Sequence, residues 1–133
     1  MPINYRVDSA GLLIITASNP LTAQNFMDYF RASRDDIGVR TDMHRLFDFR
    51  GVDSMPPSSD VANAARSYRE LPPLEPGTRI AVLVDSDLGF GIARMFAGVA
   101  GPAGEQFNTF RSESEAMLWL AVGASPPDEA GKG

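Results

Sequence analysis

The segment from Arg79 to Ala100 constrains the fold more than any other part of this chain. Ile80, Ala81, Val82, Leu83 and Val84 form an unbroken apolar run with β-branched residues and no polar alternation, which predicts a strand covered on both faces. Asp85-Ser86-Asp87 ends the run, glycines follow at 89 and 91, and Ile92, Met95, Phe96 and Val99 then recur at helical spacing. A doubly covered strand that feeds straight into a helix is the unit of a parallel sheet, so the chain reads as α/β.

The flanking segments extend that pattern. Ile3 to Val7 and Leu12 to Thr16, joined by Asp8-Ser9-Ala10-Gly11, predict a hairpin. Asn19-Pro20-Leu21-Thr22 breaks the second strand and caps a first helix, whose stripe is Phe26, Tyr29, Phe30, Ser33 and Ile37 and whose end is Gly38. Arg45 to Arg50 is compatible with a strand that carries Leu46 and Asp48 on one face, with Phe47 and Phe49 divided across the pleat. After Pro56-Pro57, Ser58 or Ser59 is expected to cap a helix reaching about Glu70. Its thin stripe of Val61, Ala65 and Tyr68 predicts the least firmly packed helix. Gly101-Pro102 stops the third helix, Gln106 to Phe110 is a short strand, and Ser112 with Glu115 fits a capping box. The last helix carries Ala116, Met117, Leu120 and Ala121 up to Gly123.

The expected order is ββαβαβαβα: a mixed five-stranded sheet, parallel in its later strands, covered by about four helices. Residues 1–123 make one domain, and 124–133 hold nothing to bury and read as a disordered tail.

Composition narrows the chemistry. The net charge is −5 and no Lys/Arg cluster occurs, which argues against nucleic acid. Eleven arginines accompany a single lysine, Lys132, so the folded part offers no phosphate-loop or Schiff-base lysine. Cysteine is absent, and the one histidine, His44, reads as a surface or edge residue. These gaps predict a protein that is not an enzyme and that uses no metal or other cofactor. No apolar run approaches the ~20 residues of a membrane span, and MPINYRVDSAG lacks the pattern of an export leader, so a cytoplasmic location is expected.

Two motifs invite stronger readings. Asp85-Ser86-Asp87 has the carboxylate spacing of an aspartyl phosphotransferase, but such enzymes need a lysine that this region lacks. Gly89-Phe90-Gly91 opens like a dinucleotide loop, yet Arg94 stands in the third glycine position. The helix start can instead bind an anion between Arg94 and Arg50, or those arginines can pair with Asp48, Asp85 or Asp87. Trp119 suits core packing or a homodimer contact.

The buried strand, the turn from Ser86 to Gly91, Gly91-Ile92-Ala93-Arg94-Met95-Phe96, Phe110-Arg111-Ser112-Glu113, Ala116 and Trp119-Leu120 together resemble the SpoIIAA-like family. Its fold is related to STAS domains and to the CRAL-TRIO lipid-transfer fold, and the likeness runs from Ile3 to about Val122 in element order. The resemblance implies a single-domain STAS-like sandwich and a non-catalytic binding or regulatory role. Kinship with lipid transfer implies a small hydrophobic or lipid-like ligand, or contact with a membrane surface. Met55, Phe90, Leu71 and Leu74 are then apolar contacts, and helix 58–70, with Tyr68, is a lid. STAS antagonists of anti-sigma factors carry a phosphorylatable serine after the third strand, which implies a protein partner and makes Ser58 and Ser59 candidate phosphorylation sites. Here VDSMPPSSDV departs from the family's Asp-Ser-Ser-Gly turn by lacking the glycine and inserting two prolines.

Overall fold

The computed structural model describes residues 2–101 and 106–123, so the tail read at 124–133 lies outside the described residues. The chain is α/β, with a five-stranded mixed sheet and four helices. In chain order the elements are β1 (Ile3–Val7), β2 (Leu13–Ser18), α1 (Ala23–Asp35), β3 (Arg45–Gly51), α2 (Ser58–Arg69), β4 (Arg79–Leu83), α3 (Asp87–Ala100), β5 (Gln106–Phe110) and α4 (Glu113–Gly123).

The strands lie in the sheet in the order in which the chain makes them, β1-β2-β3-β4-β5, with β1 antiparallel and every later pair parallel. Three successive crossovers therefore step in one direction. Because such crossovers are almost always right-handed, all three connecting helices fall on the same face. The core divides accordingly. Leu13, Ile15, Phe47, Ile80 and Val82 pack with α1, α2 and α3, whereas Leu46, Ala81 and Leu83 pack with Ala116 and Leu120 of α4. Alternation along β4 explains why its run is apolar throughout: Ile80 and Val82 face three helices, Ala81 and Leu83 face one.

Local chemistry fixes the ends of the elements. Asp8 accepts hydrogen bonds from the amides of Ala10 and Leu12, both at 2.9 Å, and Gly11 closes the hairpin at φ +84, a conformation that favours glycine. Thr22 and Asn25 form a reciprocal capping box at the start of α1. That helix ends at Asp35, two residues short of the stripe expected from sequence, and Ile37 is fully exposed. Asp36 is the cause: its carboxylate accepts from the Gly38 amide at 2.8 Å and the Tyr5 hydroxyl at 2.9 Å, turning the chain away before Ile37.

Three further expectations are corrected. Phe47 and Phe49 lie on one face, their rings stacked at 4.5 Å, because residues two apart in a strand point the same way. α2 is not loosely held: Val61, Ala64, Ala65 and Tyr68 are all buried, and the small alanines let it wedge between α1 and α3. Neither Ser58 nor Ser59 caps it. Pro57 is the N-cap, with no side-chain bond, and its carbonyl accepts from the amides of Asp60 and Val61. Both serines are left exposed in the first turn.

At α3 the cap is Ser86, whose Oγ accepts from the Gly89 amide at 3.0 Å. A Cβ on Gly89 would lie 3.0 Å from that oxygen and 3.5 Å from Val84 Cβ, so glycine lets the helix start close against β4. At α4, Ser112 accepts from the Glu115 amide at 3.3 Å, with no return bond from Glu115 among the described residues.

Candidate ligand pocket

The face beneath α1–α3 is built largely from rings, and flat rings at fixed angles do not fill space as aliphatic chains do. Phe26, Phe30, Tyr68, Phe96 and Phe107 meet at centroid distances of 4.9 to 6.5 Å, mostly tilted or edge-on. Between them and β3–β4 lies a cavity of about 80 Å³. That is roughly half the ~150 Å³ at which an engineered apolar cavity takes up benzene. Phe47, Phe49, Val82 and Val84 supply the sheet side, and Ile92 and Ala93 of α3 part of the opposite wall.

The two ends differ in charge. At the C-terminal edge of the strands the lining is Val52, Asp53 and Met55 from the loop after β3, with Asp85, Ser86 and Leu88 from the start of α3. Leu88 is 62% exposed there, and both aspartates face water. At the other end stand Ser33 and Arg34 of α1 and Arg45, the first residue of β3. Arg45 is only 5% exposed. Its Nε donates to the Met43 carbonyl at 3.4 Å and its Nη2 to the Arg40 carbonyl at 3.3 Å. Burial raises the Tyr29 hydroxyl above its ordinary pKa, while Arg45, Ser33 and Arg34 pull it back down. Arg34 reaches across to α2, donating to Pro72 O at 2.9 Å and to the Tyr68 hydroxyl at 3.3 Å.

Met55 and Tyr68 line this pocket; Arg50, Phe90 and Arg94 do not. Leu74, expected as an apolar contact, is buried in the core, with Leu71 packed partly against it. The anion site suggested between Arg50 and Arg94 is not assembled. Residue 50 alternates with Leu46 and Asp48 and so belongs to the α4 side, where its guanidinium grips Asp48 through Nε at 3.0 Å and Nη2 at 2.9 Å. Nη2 also reaches Glu113 at 3.0 Å. Those bonds raise the Arg50 pKa. Burial alone would push the Asp48 carboxyl up, but the side-chain and backbone hydrogen bonds from Arg50 outweigh it and leave the pKa lowered.

Arg94 is exposed, its guanidinium 5.9 Å from the Phe90 ring centre. Arg111 sits closer, at 4.7 Å, and pairs with Asp87 at 2.8 Å. The amides of Gly89 and Phe90 already donate to Ser86. His44 is structural: its Nδ1 accepts from the Arg79 amide at 2.9 Å. Trp119 packs on Phe110 and lies 4.7 Å beneath the Arg79 guanidinium.

Arg45, Tyr29, Ser33 and Arg34 line the cavity and are candidate residues that reading the sequence missed. The available signal was Arg45 itself, a charge two residues before Phe47 on what alternation makes the same face. Among the described residues no group of three or more His, Cys, Asp or Glu side chains is placed to hold a metal ion, and no helix is long and apolar enough to cross a membrane. No family model, no curated protein and no solved structure matches the chain.

Proposed function

We propose that this chain is a non-catalytic binding domain of SpoIIAA-like type, with a STAS-like sandwich and a cytoplasmic location, that holds a small hydrophobic or lipid-like ligand between its sheet and α1–α3. The observation that carries the reading is the aromatic cavity, which opens beside the exposed Leu88 rather than being sealed into the core. Moving apolar ligand surface from water into such a site contributes roughly 25 cal/mol per Å². The loop bearing Val52 and Met55 is the natural gate, since α2 is wedged between its neighbours.

Nile red, a neutral apolar dye, tests this. Its fluorescence should rise on binding the native chain and should not rise with Ala93→Phe, which places a ring in the cavity, while circular dichroism stays unchanged. Equal enhancement by both proteins, or none by the native one, refutes the pocket.

A second reading rests on Ser58 and Ser59. Both are exposed in the first turn of α2 and neither is used as a cap, so a kinase can reach them, and phosphate there gains from the helix dipole. On this reading the chain is an interaction module resembling the anti-sigma antagonists. Ser58→Glu and Ser59→Glu should then change capture of a protein partner; unchanged capture removes the idea.

A further inference from the structure

A guanidinium removed from water normally has a carboxylate beside it, because burying an unpaired charge is costly. Arg45 is 5% exposed and, among the described residues, forms no ion pair. Two backbone carbonyls take one N–H from Nε and one from Nη2, out of five donors on the planar fork. The guanidinium also donates toward the Tyr29 hydroxyl, so all of its partners are neutral oxygens and none is a carboxylate. The residue itself lines the pocket, so this charge without a counter-ion borders the space a ligand would fill. The groups around it complete a polar end. Arg34 brings a second guanidinium and Tyr29 a hydroxyl whose hydrogen serves an incoming oxygen, while the Ser33 hydroxyl already donates to the Phe30 carbonyl at 3.2 Å.

Resting on the ligand-pocket reading above, we infer that the pocket selects amphipathic carboxylates, with the carboxylate seated against Arg45 and the hydrocarbon lying along Phe47, Phe49 and Phe96. The orientation follows from the charge at the two ends. Asp53 and Asp85 repel an anionic head at the Leu88 opening, whereas Arg45, which has no carboxylate partner among the described residues, attracts it at the far one. Planar guanidinium matches planar carboxylate, so two parallel N–H···O bonds form where a neutral head makes weaker ones. β3 spans seven residues, or about 20 Å at strand spacing, longer than an extended chain of eight carbons. Because the closed cavity holds only about 80 Å³, the tail enters with the loop bearing Val52 and Met55 swung outward.

Octanoate and octanamide separate the inference from its premise, since they share a tail and differ in head charge. Protein-observed NMR titration of the native chain should show octanoate binding at least tenfold more tightly, with the Arg45 Nε–H resonance shifting only for octanoate. Arg45→Met should abolish that preference, octanoate losing at least tenfold more affinity than octanamide, and Arg45→Lys should restore part of it. Equal affinities in the native chain, or a preference that survives in Arg45→Met, overturn the carboxylate inference and leave the pocket standing. Failure of both compounds to bind overturns the pocket reading and this inference together. Should Arg45→Met not fold, the native comparison and the Nε–H shift decide alone.

Discussion

The two faces of the sheet solve the same problem with different materials. Beneath α4, the aliphatic side chains Leu12, Leu46, Leu83 and Leu120 and the methyls of Ala81 and Ala116 close against one helix, with rings only at the margin, where Phe110 meets Trp119, and the edge is tied by Arg50 to Asp48 and Glu113. Beneath α1–α3, rings contributed by helices and strands alike leave room for a guest. Conformable chains fill a narrow seam under a single helix; rigid rings under three helices define a space instead. The contrast teaches where to look for function in this molecule, since the ion-paired edge is satisfied internally and the aromatic face is not.

Cutting into the tight face should give the largest effect. Leu83 has no exposed surface, and Leu83→Ala should cost about 2 to 5 kcal/mol of stability in urea denaturation. Adding volume sharpens the contrast. Ala116 is likewise sealed, so Ala116→Phe should cost about 1 to 3 kcal/mol, whereas Ala93→Phe, beside the cavity, should cost less than about 1 kcal/mol. Equal penalties would mean that the faces do not differ in packing.

Two pH effects follow in size. The Tyr29 pKa is raised in the fold, so its contribution is complete below the ordinary tyrosine value near 10 and is lost as pH climbs toward the folded value. Stability should fall there by at most about 1.4 kcal/mol per pH unit for this one group, and Tyr29→Phe should remove its share. The smallest effect belongs to Asp48. Its pKa is lowered, so the stabilisation is present above the ordinary carboxylate value near 4 and is lost as pH falls through the folded value. Arg50 is well exposed, so Arg50→Met should cost under about 1 kcal/mol at neutral pH and flatten the acid limb of the profile.

The architecture was legible where local chemistry and tertiary packing agree. The apolar run of β4, the Asp8–Gly11 turn and the Thr22 cap each announce themselves in a few neighbouring residues. Ser58 and Ser59 misled because a serine before a helix usually caps it, and here Pro57 takes that position by backbone geometry alone. The pocket was less legible. Met55 and Tyr68 were within reach as apolar residues near loops, but Arg45 acquires its meaning only when Ser33, Arg34 and Tyr29, all on α1, are folded over it. Arg50 misled for the opposite reason, since Glu113 comes from 63 residues away to claim it.

The sequential strand order also governs how the molecule comes into being. Each strand from β2 onward pairs with the one synthesised just before it, so no segment waits for a distant partner. The sheet can be laid down from the N-terminus as the chain emerges, and the long loop closures that slow other parallel sheets are avoided. α1, α2 and α3 dock in turn on the same growing face, and the aromatic cavity takes shape only when β5 brings Phe107 into place, so it is among the last features to mature.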